Sequence, residues 1–204
     1  MTQAVMHNEH RDDLGSKIGM WLFIFTELLL FGGLFIVYSV YRYLNSTAFH
    51  LAAHELDVTI GTINTVILLV SSMTVAMSTT AIQKGNKKLT LALLGVTILL
   101  ALAFLVNKYF EWGAKIHHGL YPGSAALEEL GRGDILFFGL YFFMTGLHAF
   151  HIIVGVVLLS VILIKTRNGK IAPDNFQLLE NGGLYWHLVD LIWIFLFPLF
   201  YLIT

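Results

Sequence analysis

Of the 204 residues, 57% are hydrophobic and only 12% charged; the net charge is −1, and there is no cysteine. A water-soluble domain carries about 25% charged residues, so this chain has too little polar surface for a soluble globule, and its near-neutral balance excludes the basic footprint of a nucleic-acid binder. The lack of cysteine excludes disulfides, Cys-ligated zinc, iron–sulfur clusters and thiolate copper centres.

The first 17 residues, with His7, Glu9, His10, Arg11, Asp12 and Asp13, form a polar tail of mixed charge. They lack the basic start and short apolar stretch of a cleaved signal. Five apolar runs follow, at about 18–41, 62–82, 89–112, 135–164 and 184–203. Each reaches the roughly 20 residues that a helix needs to span a bilayer. The runs are continuously apolar, whereas a membrane barrel alternates at every residue. The expectation is an all-α integral membrane bundle of five transmembrane helices, a single domain over 18–204 without internal repeats.

Turn chemistry separates the runs. Gln83-Lys84-Gly85-Asn86-Lys87-Lys88 predicts a tight turn, Tyr121-Pro122-Gly123 marks a bend in a longer loop, and Gly169, Pro173, Gly182 and Gly183 punctuate the last connection. The loop 42–61 has room for a short interfacial helix. Arg11, Lys17, Lys84, Lys87, Lys88, Lys165, Arg167 and Lys170 fall on one side of this topology, and Arg42, Lys115 and Arg132 on the other, with Lys108 near a helix end. The positive-inside rule then predicts a cytoplasmic N-terminus and an outside C-terminus.

Polar side chains within the runs cost desolvation energy and each needs a partner. Glu27 is nine residues, about 13 Å, into the first run; it reads either as a proton- or lipid-linked site or as a hydrogen bond between helices. His148 and His151 share one face of the fourth run with Tyr141, Thr145 and Gly155. His187 and Asp190 lie three apart in the fifth, flanked by Trp186 and Trp193. The histidines could ligate a haem or metal, yet no Glu-x-x-His pair of a di-iron bundle occurs. From the run boundaries, His187 and His151 differ in depth by about 10–15 Å, which argues against a shared haem and for pairing across helices. Lys108 and Glu111, three apart near the end of the third run, suit an interfacial ion pair. Asn64, Thr65, Ser71, Ser72 and Thr74 offer small polar contacts, and Trp21, Tyr41, Tyr109, Trp112 and Tyr185 suit the headgroup belt. No nucleophile–base pair, phosphate loop or cofactor fingerprint is present, so no catalytic or metal residue is assigned.

The stretch Trp186-His187-Leu188-Val189-Asp190-Leu191-Ile192-Trp193 resembles the W-H-[FL]-V-D-x-[VI]-W signature of subunit III of haem–copper oxidases. Thr145-Gly146-Leu147-His148-Ala149-Phe150-His151, continuing to Gly155, resembles that family's T-G-x-H-x-x-H-V-x-x-G segment. Gly19-Met20-Trp21 through Thr26-Glu27 is similar to the helix carrying a membrane carboxylate, and Asn64-Thr65-Val66-Ile67 to the start of the next helix. The likeness runs in order from about Lys17 to the C-terminus. Long members have seven helices; this chain resembles the short five-helix bacterial form. Lys108 departs from the acidic or amide residue of many relatives, while Glu111 fits.

The resemblance implies a non-catalytic subunit of a proton-pumping aerobic respiratory oxidase in the bacterial cytoplasmic (inner) membrane. Haems and copper would belong to partner subunits I and II, with none bound here. The chain would pack on subunit I around structural phospholipids and support proton uptake. Glu27 would be the carboxylate of the lipid cleft. His148, His151, His187, Asp190 and Glu111 would form the polar framework, with Trp186 and Trp193 as signature aromatics. The last helix resembles cytochrome c oxidases more than quinol oxidases. Rivals are a quinol oxidase subunit III, the related accessory protein of nitric oxide reductase and, outside the family, a haem b membrane anchor; a small transporter would need inverted repeats and broken helices at the midplane.

Overall fold

The computed structural model describes residues 13–203, which form seven helices: α1 Asp13–Leu44, α2 Ser46–Ala53, α3 Val58–Gln83, α4 Lys87–His117, α5 Ala125–Leu130, α6 Arg132–Arg167 and α7 Gln177–Tyr201. Five of them, α1, α3, α4, α6 and α7, are long and apolar enough to cross a membrane, as the apolar runs predict. Residues 1–12 of the predicted tail lie outside the described residues, and 13–17 already belong to α1.

The helices outrun the apolar segments by several residues at most ends, because stop signals rather than hydropathy end them. Asp57 caps α3 by accepting from the backbone N–H groups of Thr59 (2.8 Å) and Ile60 (3.3 Å), and Asn86 caps α4 through Leu89 N–H (3.1 Å), satisfying donors that a helix start leaves free. Gly85 ends α3 at φ +75°, which lets its N–H reach Ile82 O and the Asn86 N–H reach Ala81 O, both at 2.9 Å. A side chain there would be strained in the left-handed region.

The short helix anticipated in loop 42–61 is α2, anchored by buried Phe49, Ala52 and Ala53. Phe49 meets Tyr38 and Phe137 edge-on, with ring centroids 5.6 and 5.4 Å apart, and Phe200 completes the cluster at 5.0 Å from Tyr38. Helix α5 has no counterpart in the sequence reading; six residues between two glycine-containing turns carry too little periodicity to show.

Helices α3, α4, α6 and α7 form an antiparallel four-helix bundle with α7 against both α3 and α6. Glycines permit the closest approaches. A Cβ on Gly155 of α6 would stand 2.7 Å from the Trp186 ring, and one on Gly182 of α7 would stand 2.4 Å from Ile162. Gly155→Val is expected to cost about 1–3 kcal/mol through overpacking, read as a lower melting temperature in detergent; Gly139→Ala, with nothing within 4 Å, is the neutral comparison.

Helix α1 stands at the side of this bundle. At its start it is tied to α7 by Asn181 donating to Ser16 (2.9 Å) and by the Lys17–Glu180 ion pair (3.5 Å), and at its end by Tyr38 donating to Leu199 O. Most of its remaining surface, including Trp21, Leu22, Phe25, Leu29 and Ile36, is exposed.

Candidate functional site

Glu27 and His151, assigned separately from sequence, meet across α1 and α6. Glu27 Oε2 lies 3.1 Å from His151 Nε2, and His151 Nδ1 lies 2.8 Å from Leu147 O. A carbonyl only accepts, so Nδ1 carries a hydrogen. The contact to Glu27 then holds one proton, on Nε2 or on the carboxyl. Either arrangement leaves the pair neutral overall, the cheapest way to keep two ionisable groups at membrane depth. Glu27 is 14 residues, about 21 Å, from the start of α1, because the helix begins before the apolar run. Tyr185 donates to His151 O (2.9 Å), and Phe31 meets the imidazole edge-on at 5.4 Å. Tyr185 is therefore a buried strut rather than the headgroup-belt residue expected.

The depth comparison of the histidines needs correction. Helix α7 starts seven residues before the predicted run, and Trp186 packs on Gly155. His187 is thus offset from His151 by three residues of rise, about 4.5 Å, rather than about 10–15 Å. What separates them is direction. His187 Nδ1 pairs with Ser72 Oγ of α3 at 2.6 Å, whereas His151 faces α1. His148 is buried, stacked on Trp193 (5.3 Å) and edge-on to Phe104 (5.7 Å). Neither of its nitrogens has a hydrogen-bond partner within the protein, and Asp190 makes no bond of standard geometry although Ser72 stands beside its carboxyl. Among the described residues no three His, Asp or Glu side chains gather as metal ligands.

Lys108 and Glu111 do pair, at 3.0 Å, and the pair is enclosed by the bundle, with both side chains nearly inaccessible (3% and 2%). Lys108 Nζ also donates to the hydroxyls of Tyr141 (3.1 Å) and Tyr201 (3.0 Å), and both hydroxyls donate to Glu111 Oε1. The rings of Tyr141, Trp193, Tyr201 and Trp112 surround the ammonium at 4.9–6.0 Å. Sequence reading missed this cage because its members come from α4, α6 and α7. The i, i+3 spacing of Lys108 and Glu111 was the only local signal.

The signature tryptophans serve as donors to α3: Trp186 Nε1 to Ser71 Oγ and Trp193 Nε1 to Thr65 Oγ1, both at 3.0 Å. Asn107 donates to Asn64 Oδ1 (2.9 Å), and Thr74 meets Thr97 (2.8 Å), so small polar residues join α3 to α4 as well.

Residues 2–204 match the family described as cytochrome c oxidase subunit III. The chain is 28% identical to a probable quinol oxidase subunit 3 of Staphylococcus saprophyticus, over 98% of this chain and 94% of that one. It is 29% identical to cytochrome c oxidase subunit 3 of Corynebacterium diphtheriae, over 92% and 87%. A haem–copper oxidase subunit I+III of Aeropyrum pernix is 32% identical over 92% of this chain, which spans only 22% of that longer protein. With a family match over essentially its whole length and five helices fit to cross a membrane, this multi-pass chain belongs to the cytochrome c oxidase subunit III family.

Proposed function

We propose that the chain is the non-catalytic third subunit of a proton-pumping terminal oxidase in the bacterial cytoplasmic membrane, with its N-terminus inside. It packs against subunit I, joins subunit II in the same complex, and holds lipid beside a membrane carboxylate. The orientation follows from the Lys and Arg bias. The fused subunit I+III relative supports direct packing on subunit I, since one chain there carries both. The exposed apolar face of α1 is a surface of the right character for bilayer lipid or a neighbouring subunit.

The observation that carries the lipid role is a row of three shallow, mostly apolar depressions along α1 that share Phe35, Ser39 and Tyr43 in their linings. The row begins with the depression between Leu28, Gly32 and Phe195, and its last member lies beside Ser39, Arg42, Tyr43 and Ser46. From Leu28 to Arg42 it runs about 21 Å, enough for an acyl chain crossing the roughly 15 Å of one leaflet's hydrocarbon. Its apolar stretch suits that chain, and the Arg42 guanidinium suits a headgroup phosphate. Glu27 lies one residue before the deep end, so the Glu27–His151 pair braces α1 where the row starts.

The haems and copper of the complex belong to the partner subunits. The histidines here do not fit a macrocycle: His148 is packed between Trp193 and Phe104, His151 is held by Glu27 and His187 by Ser72. No catalytic step passes through this chain, which acts by supporting proton uptake by its partner and keeping it structurally intact during turnover.

The electron donor is taken to be cytochrome c; relatives named for quinol and for cytochrome c are about equally similar. Purification through a tag on this chain, followed by oxygen uptake with reduced cytochrome c and with quinol, tests both points. Haem with uptake from cytochrome c is expected. Uptake from quinol alone moves the assignment to a quinol oxidase, and a colourless product without partners refutes the oxidase reading. In the same preparation Glu27→Ala, which strips His151 of its partner, is expected to cost about 0.6–1.7 kcal/mol in stability and to shorten the lifetime of the enzyme under turnover. An unchanged lifetime and rate would remove Glu27 from the function.

A further inference from the structure

His50, His54, His117 and His118 lie at the end of the bundle where α1 passes into α2 and where α4 stops. Only the first two converge. His50 Nε2 lies 3.4 Å from His54 Nε2, with the ring centroids 4.8 Å apart and the ring planes at 86°. A spacing of four residues puts both on one helical face, and His54, which caps α2, keeps helical backbone angles of φ −64° and ψ −19°. The turn that carries them is fixed. Phe49, Ala52 and Ala53 are buried beneath it, and Lys115 of α4 donates to Glu55 O just beyond it. The rings themselves are open to ligands, His50 half-buried and His54 exposed. His117 and His118, by contrast, are chain neighbours with ring centroids 5.9 Å apart.

The separation of the two nitrogens discriminates between a hydrogen bond and a shared ion. A protein hydrogen bond from nitrogen spans about 2.7–3.2 Å, so 3.4 Å is long for one. Around a tetrahedral Zn²⁺ with Zn–N bonds of about 2.0–2.1 Å, two ligand nitrogens stand about 3.3–3.4 Å apart. The pair therefore has the spacing of one tetrahedral edge before any ion arrives. A square-planar Cu²⁺ would draw the nitrogens to about 2.9 Å, so the spacing favours the zinc geometry. There is also room for an ion and its remaining ligands. His54 lines an open cavity of about 300 Å³ with Leu56, Val58 and Leu202, where the starts and ends of α2, α3 and α7 meet.

We infer that His50 and His54 together bind one divalent cation of the zinc class. Among the described residues no third His, Asp or Glu gathers with them, so water or a small anion fills the other positions and the ion exchanges freely. Helix α2 connects the end of α1 to the start of α3, at the opposite end of the bundle from the basic turn 84–88, and the ion reaches it from the aqueous phase on that side. Once bound, it cross-links the last turn of an eight-residue helix, a length that does not hold itself helical in water.

The complex purified through a tag on this chain is stripped with a chelator and dialysed against Zn²⁺, and its zinc is counted. The parent is expected to hold one zinc more than the His50→Gln/His54→Gln double variant. Each single variant is expected to bind that zinc at least about 10–100-fold more weakly, since losing even an outer-shell partner costs that much. Equal zinc in the parent and the double variant overturns the site. Loss of the ion in His117→Gln with retention in His54→Gln places it elsewhere and overturns the site as well. Should the α2 variants fail to assemble, hydrogen exchange in the parent complex decides. Zn²⁺ is expected to slow exchange across 49–56, and unchanged exchange there refutes the inference.

Discussion

Lys108→Met is expected to destabilise the chain by about 3–5 kcal/mol, the cost of leaving a buried charge without its partner. Removing the ammonium strands the Glu111 carboxylate and deprives the Tyr141 and Tyr201 hydroxyls of an acceptor–donor circuit that closes within 3.1 Å. Four aromatic rings also lose their cation, each contact being worth up to about 2 kcal/mol when desolvated. For a chain of this size each kcal/mol shifts melting by about 2–4 °C, so a fall of roughly 6–20 °C is expected in detergent, followed by intrinsic tryptophan fluorescence. Adding Glu111→Gln removes the stranded charge and is expected to recover much of the loss. A single substitution that melts with the parent would mean that the cage contributes no stability.

Trp186→Ala is expected to cost about 3–5 kcal/mol, as large-to-small changes of buried aromatic residues do. Trp186 is fully buried, lies against Gly155 of α6 and donates to Ser71 of α3. It therefore joins three helices at one level. Between membrane helices the attraction comes from van der Waals packing and interhelical hydrogen bonds rather than from escape from water, so the void itself is the main penalty. Trp186→Phe keeps most of the volume and is expected to lose only about 0.6–1.7 kcal/mol, the range for a hydrogen bond between such helices. The two positions are coupled: in the Trp186→Ala background, Gly155→Val should cost less than in the parent, because the Trp186 ring is gone and only the tight contact with Tyr185, at 3.2 Å, remains. Melting of the two single variants and the double variant gives the coupling directly. Simple additivity would show that the ring and the glycine do not share this contact.

The particular failures of sequence reading have a common origin. Helix count and type were legible because about 20 consecutive apolar residues constrain the backbone locally. Helix ends were not, since Asp57, Asn86 and Gly85 stop helices by hydrogen-bonding chemistry outside the apolar runs. That error propagated. Placing the start of α7 seven residues late put His187 near the surface and gave it the wrong depth. Tyr185 was misread for the same reason. The i, i+3 pair Lys108–Glu111 was legible as a pair, yet its burial was not, because α6 and α7 supply the covering tyrosines.

By itself the sequence determined the solvent, the five spanning helices, the side carrying the basic loops and, through co-linear motifs on four of the helices, membership of the family. These depend on composition, on periodicity and on residues that are near neighbours in the chain. Only the tertiary structure decided that Glu27 meets His151, that Ser72 meets His187, that Lys108 sits in an aromatic cage, and that the nitrogens of buried His148 lack protein partners. Those facts depend on the rotation and axial offset of helices up to 124 residues apart in the chain, which hydropathy does not encode. Close approach at Gly155 and Gly182 sets that offset, and packing rather than pattern chooses which polar groups face one another.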